Sequence, residues 1–307
     1  SRFPYLSQCG EIIDYSFPEA NETTDAAWQT IFAHDRLMYN NSDTLFYETE
    51  NRDGTKIKKS INGANLSDGI KNIAQVGNVT CVFPDMRCFN FKDETSELMQ
   101  VNLTVPQEEK HNGEWWSYYR ATSNSLIIDN CTGSEWEQPG TYADSAAQFK
   151  DGDVVTVSAF SCATNTNVLD KVGAVKNAVI ETVTYDNGKT TIKFKEKKIF
   201  GNLSDRGQMG HSEITVSKEM PTMQYICSHG GRLWGGCDDE NTINASAYNE
   251  PRVFNRFEGL SSDSYSISTQ TPGNFTGCIG MTTYVCFFKE NYILRVYGNR
   301  PAAFSLV

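Results

Sequence analysis

The sequence predicts a mainly β protein: two tandem, internally duplicated, disulfide-stapled domains of β-sandwich or barrel-like form, each with one short early helix. Three observations lead there. Apolar residues alternate with polar ones over most ordered-looking segments, nine cysteines are spread along the chain, and their spacing nearly repeats.

Strand patterning comes first. Val179 to Tyr185 and Thr190 to Lys195 flank Asp186-Asn187-Gly188, a hairpin signature in which Asn-Gly supplies the left-handed backbone of the turn. Leu98 to Val105 and Asp153 to Phe160 are rich in Val, Leu and Thr, as strands are. Glu114 to Arg120 alternates as well, placing Trp115, Ser117 and Tyr119 on one face and Trp116, Tyr118 and Arg120 on the other. The early helix is expected after Thr24, a capping residue, with Asp25 favouring its dipole and Ala27, Trp28, Ile31, Phe32 and Leu37 on one side. Val168 to Ile180 is spaced similarly around Val172 and Val175 in the second half.

The cysteines supply the repeat. Cys9, Cys81, Cys88 and Cys131 are followed by Cys162, Cys227, Cys237 and Cys278 at offsets of 153, 146, 149 and 147 residues. Around them, Asn65-Leu66-Ser67-Asp68 is echoed by Asn202-Leu203-Ser204-Asp205, and Thr141-Tyr142 by Thr283-Tyr284. The expected division is therefore 1–155 and 156–307, with two disulfides per domain and the pairing left open. Cys286 is left over, as a buried thiol or a link to another chain.

Compartment follows from the same cysteines together with the sequons. Nine Asn-X-Ser/Thr sites occur, at Asn21, Asn40, Asn65, Asn78, Asn102, Asn130, Asn202, Asn244 and Asn274. That is roughly twice what this composition would give by chance. Nine cysteines without CxxC metal pairs fit an oxidising compartment, so a secreted or cell-surface glycoprotein carrying N-linked glycans is expected. The chain starts at Ser1 without a charged and apolar leader, so any signal peptide is expected to be absent from it. A net charge of −11 argues against nucleic acid and anionic membranes, and no apolar run is long enough to span a bilayer.

Chemistry is sparse. The histidines His34, His111, His211 and His229 sit in unlike settings, and no HExxH, GxSxG or P-loop pattern is present. His229-Gly230-Gly231 reads as a tight loop, and Asp151-Gly152-Asp153 and Asp238-Asp239-Glu240 read as turns rather than calcium ligands. No catalytic residue, metal or cofactor is assigned.

Two candidate contact surfaces remain. Trp116, Tyr118 and Arg120 form an aromatic platform with a cation, suited to a sugar or a protein hot spot. The apolar ends, Phe3, Tyr5 and Leu6 and then Phe304 and Leu306, serve as edge strands of their own domain or add to a neighbour's sheet. Head-to-tail strand addition would build filaments. The expected function is thus a non-catalytic extracellular structural or assembly subunit (filament, coat or surface layer) that self-associates. The alternative is a ligand- or receptor-binding glycoprotein: lectin-like, a small-ligand carrier, or a viral or parasite ectodomain. A secreted hydrolase ranks third.

Overall fold

The structure is a computed structural model that describes residues 30–33, 37–41, 43–51, 53–67, 71–111, 113–129, 142–163, 168–203 and 207–307. It is mainly β and built from several sheets, with one five-residue α-helix among the described residues.

Four of the sheets are four-stranded antiparallel meanders in strict sequence order. The first contains β1 (Thr30–Ala33), β2 (Leu37–Asn41), β3 (Thr44–Glu50) and β4 (Lys56–Asn62), and the second β5 (Asn72–Val76), β6 (Val79–Phe83), β7 (Arg87–Asn90) and β8 (Thr95–Leu98). Between the second and third meanders lie β9 (Val101–Val105), β10 (Glu109–His111), β11 (Glu114–Trp116), β12 (Tyr119–Ala121), β13 (Ser125–Asp129) and α1 (Tyr142–Ala146). They are followed by β14 (Val154–Val157), β15 (Phe160–Ala163), β16 (Leu169–Val172), β17 (Val175–Asp186), β18 (Lys189–Phe194), β19 (Gln208–Met209) and β20 (Ile214–Lys218). The third meander is β21 (Met223–His229), β22 (Arg232–Cys237), β23 (Thr242–Ala245) and β24 (Tyr265–Ser268). The fourth is β25 (Phe275–Gly280), β26 (Tyr284–Lys289), β27 (Ile293–Tyr297) and β28 (Ser305–Leu306).

The meanders stack face to face, and alternation along each strand explains how. In the second meander Val82 and Phe89 point toward the first, where they join Met38, Leu45, Tyr47 and Ile61. Their neighbours Cys81, Phe83 and Cys88 point the other way, onto Met223, Ile226 and Leu233 of the third. The third meander repeats the device: Cys227, Trp234 and Ile243 meet Phe275, Val285, Phe287 and Leu294 of the fourth. Two glycines of β22 leave room for packed side chains, Met223 of the adjacent strand and Phe275 of the fourth meander. A Cβ at Gly235 would lie 2.3 Å from Met223 Sδ, and one at Gly236 would lie 2.5 Å from the Phe275 ring.

The inserted segment forms an eight-stranded sheet of order β19-β12-β13-β18-β17-β14-β20-β9, with α1 against it. Its core gathers Leu103, Tyr119, Leu126, Val155, Ile180, Ile192, Phe194 and Phe200. The Thr190 hydroxyl ties α1 down by donating to the Ala143 carbonyl at 2.6 Å.

Several expectations need correction. The expected join at 155/156 runs through β14, and β13 with β18 and β9 with β20 pair across it. Sequence halves and sheets therefore do not coincide. Among the described residues no closed barrel forms, and four-stranded sheets packed face to face accompany one large sheet. The helix expected to run to Leu37 is a β-hairpin from Thr30 onward, because Thr30 to Ala33 pairs with Leu37 to Asn40. Its second-half counterpart is likewise β16 and β17. By contrast the Asp186-Asn187-Gly188 hairpin is present, with Asn187 at φ 50° and Gly188 at φ 75°. No described pair of cysteines sits at bonding distance.

Candidate functional site

Sequons divide by burial. Asn65, Asn78, Asn102, Asn202 and Asn274 are exposed, whereas Asn40 and Asn244 are 0% and 6% exposed. Asn244 lies in the middle of the third meander and donates its amide to Thr242 Oγ1 at 2.9 Å, so a glycan there would displace strand packing. The same holds for Asn40 between β1 and β3. Asn21 and Asn130 lie outside the described residues, as do Cys9, Cys131, Phe3, Tyr5 and Leu6.

The expected aromatic platform is not a continuous strand. The strand breaks between β11 and β12 at Ser117, whose hydroxyl donates to the Gly210 carbonyl at 2.6 Å with the Tyr119 carbonyl 2.8 Å away. Tyr118 is half-buried edge-on to Tyr142 at 5.5 Å and donates to Glu109, Trp116 is half-buried, and Arg120 is exposed. The residue that stands out is Trp115, 57% exposed with Lys110 over its ring at 5.8 Å.

At the C-terminus the own-domain alternative is the one observed. β28 pairs with β27, and Arg295 and Val307 exchange two backbone hydrogen bonds of 2.8 and 2.9 Å. Phe304 packs edge-on to Trp234 and Tyr265 at 5.1 and 4.9 Å, with the Arg232 guanidinium 5.7 Å above its ring. Arg232 is itself buried and donates to the carbonyls of Ser246 and Ser261 at 2.7 Å, holding the 246–263 loop. Burial lowers its pKa, opposed by the Asp263 carboxylate. Leu306 faces inward with the fourth-meander core.

The polar clusters are engaged structurally. A cleft of about 200 Å³ where the second meander, the large sheet and the 250–253 loop meet is lined by Glu97, Lys150, Asp153 and Arg252. Arg252 pairs with Glu97 at 2.7 Å and donates to the Leu98 carbonyl, while the buried Lys218 ammonium is bonded to Asp153. Burial lowers the Lys218 pKa, and Asp153 works against that. His211 Nδ1 lies 2.5 Å from Glu108 Oε1, but the adjoining Tyr119 and Ser212 hydroxyls donate to backbone carbonyls. Cys162 is pushed up to about 12 by burial and by the Asp170 carboxylate, so it is no ready nucleophile. Of the acidic turns, Asp151 accepts from Val183 N and Asp238 from Phe275 N. Among the described residues no three His, Cys, Asp or Glu side chains cluster as a metal site would require.

What remains is the outer face of the fourth meander. Register places Gly277, Phe288 and Ile293 in one cross-strand row and Ile279, Cys286 and Arg295 in the next, with Val307 beyond Arg295. Ile279, Ile293 and Val307 are 49%, 61% and 73% exposed, and Phe288 is also exposed. Cys286, by contrast, is buried within the row. The strands contribute no Asp or Glu to the face, and its cation Arg295 leans over the Tyr284 ring at 5.8 Å. Sequence reasoning missed this surface. The available signal was that Ile293 to Val296 is apolar on both sides of the pleat, apart from Arg295.

A scan against protein-family models finds no match, and neither does a search of the curated proteins. The class defined here is therefore structural: a mainly β protein of stacked antiparallel sheets. Among the described residues no helix is long and apolar enough to cross a membrane.

Proposed function

We propose that this chain is a non-catalytic, N-glycosylated extracellular assembly subunit. It docks to a second copy of itself through the outer face of β25–β28. The single observation that carries the reading is the uncovered apolar face at the end of a stack. Three internal interfaces are already made by pressing one such sheet on the next, so the fourth sheet offers the same chemistry to a further sheet. One feature supports a protein partner. The face is free of Asp and Glu side chains in a chain of net charge −11, as interface cores are. Docking is by sheet faces rather than by strand donation from Phe304 and Leu306, which are committed to their own sheet.

Light scattering after size-exclusion chromatography tests this. Wild-type chain is expected to form dimers or larger species as concentration rises, and Ile293→Asp to remain monomeric with unchanged circular dichroism. Wild-type chain that stays monomeric at every concentration contradicts the reading.

A second reading, a ligand-binding glycoprotein, draws on one cleft. Phe257, Leu260, Asp263, Arg300 and Pro301 line an open space of about 380 Å³, with the Phe257 and Leu260 side chains largely exposed. A small amphipathic or acidic ligand would lose affinity on Arg300→Ala with the fold intact.

A further inference from the structure

We infer that the chain closes two disulfides of defined pairing, Cys81–Cys88 within one hairpin and Cys227–Cys278 between two facing sheets. This rests on the oxidising compartment of the preceding reading, but the pairing itself follows from register.

Cys81 and Cys88 are direct cross-strand partners on β6 and β7 and point to the same face. Their Sγ atoms lie 3.1 Å apart in the core. Cα atoms opposite each other in an antiparallel pair are about 4.5–5.5 Å apart, within the span a disulfide bridges, so a rotation of roughly 1 Å at sulfur closes the bond. Cys227 on β21 and Cys278 on β25 come from strands packed against each other, and both point into the core between the third and fourth meanders. Contact with Cys278, then burial, pushes the Cys227 thiol up.

Alternation also excludes the obvious competitors. A repeat-based pairing that joined Cys81 to Cys88 would join Cys227 to Cys237. Cys227, however, is opposite Trp234 on the face toward the fourth meander, whereas Cys237 is opposite Met223 on the other face. Cys278 and Cys286 are on adjacent strands, but Cys278 is opposite Phe287 and points inward, while Cys286 is opposite Ile279 on the outer face.

Each closure removes two protons and two electrons from a pair of thiols. The oxidant is a second disulfide, of a small thiol or an oxidoreductase, and it is reduced to two thiols. One cysteine thiolate attacks that disulfide and forms a mixed disulfide, and its partner's thiolate then displaces the small thiol. Cys81 and Cys227 are deeply buried, and burial pushes the Cys81 thiol up with help from Cys88. Oxidation therefore belongs to folding rather than to the finished fold.

The test is to unfold the purified full chain, refold it in a mixture of oxidised and reduced glutathione, alkylate, digest without reduction and map linked peptides by mass spectrometry. Cys81–Cys88 and Cys227–Cys278 are the expected links. Cys227–Cys237, Cys278–Cys286, or free thiols at these four positions after refolding would overturn the pairing. The same map on chain isolated from its native source separates the two claims: links formed with glutathione but absent from native material leave the pairing standing and contradict the compartment. Melting gives an independent readout. The Cys227–Cys278 bond closes a loop of 51 residues of separation against seven for Cys81–Cys88. Cys227→Ala with Cys278→Ala should thus lower Tm more than Cys81→Ala with Cys88→Ala. The reverse order counts against the inter-sheet bond.

Discussion

The third and fourth meanders share strand number, order and direction, yet their outer surfaces differ. The third is covered on both faces, and all six residues of β22 are buried. It accommodates this with Gly235, whose Cβ space is taken by Met223 of the adjacent strand, and Gly236, whose Cβ space is taken by Phe275 of the fourth meander. Among the described residues the fourth is covered on one face only, and β27 alternates exposed and buried residues from Ile293 to Val296. Its open side nevertheless keeps Ile279, Phe288, Ile293 and Val307. A sheet whose open side faced only water would carry polar residues there. The contrast separates residues that serve the fold from residues left over for a partner.

Substitutions in the two meanders break that contrast at different depths. Trp234→Ala should cost the most, about 4 kcal/mol, since it empties a fully buried indole site shared with Tyr265 and Phe304. Chemical denaturation reads the loss. Gly236→Ala adds a single methyl group yet should cost about 2–3 kcal/mol, because the Phe275 ring it meets is locked in the core. A cost near zero would mean that the third and fourth meanders do not press together as described.

Removing residues 301–307 should behave as a folding defect rather than a pure assembly defect. It strips β28 and the Phe304 ring from Trp234, so Tm should fall together with any loss of self-association.

A buried ion pair at the edge of the second meander gives the acid response. Lys71 lies 2.6 Å from Asp85, whose other oxygen accepts from Ser67 N at 2.6 Å. Burial by itself would raise the Asp85 carboxyl, but the Lys71 ammonium and Ser67 donors outweigh it and hold the carboxyl below its ordinary value. The folded chain therefore releases this proton more readily than the unfolded chain. Its stabilisation is complete above the ordinary value of 3.8 and is lost as pH falls through and below it. Asp85→Asn should cost about 2 kcal/mol near neutral pH and flatten the acid limb of a Tm-against-pH curve. An unchanged acid limb would place the pair in solvent.

Ile293→Asp is the smallest in stability, within about 0.5 kcal/mol for an exposed position, and is expected to abolish association.

Legibility in the sequence followed how local each feature is. The Asp186-Asn187-Gly188 turn was readable because the left-handed backbone at Asn187 and Gly188 is a property of those residues alone. Thr30 to Ala33 was misread as helix because short apolar runs fit both periods, and pairing with β2 decides between them. Cysteine spacing fails for the same reason. Cys81 and Cys88 sit on the second and third strands of their meander, but Cys227 and Cys237 sit on the first and second of theirs. Equal spacing thus does not mean equal place. The outer face of β25–β28 was unreadable because alternation names two faces without saying which one another sheet covers.

Hydroxyl-radical footprinting of the glycosylated full chain at low and high concentration tests the central claim most directly. Ile279, Phe288, Ile293 and Val307 are expected to lose reactivity together at high concentration, while Trp115 and Phe257, exposed elsewhere, keep theirs. Unchanged reactivity on the fourth meander, or protection confined to Trp115 and Phe257, would contradict it.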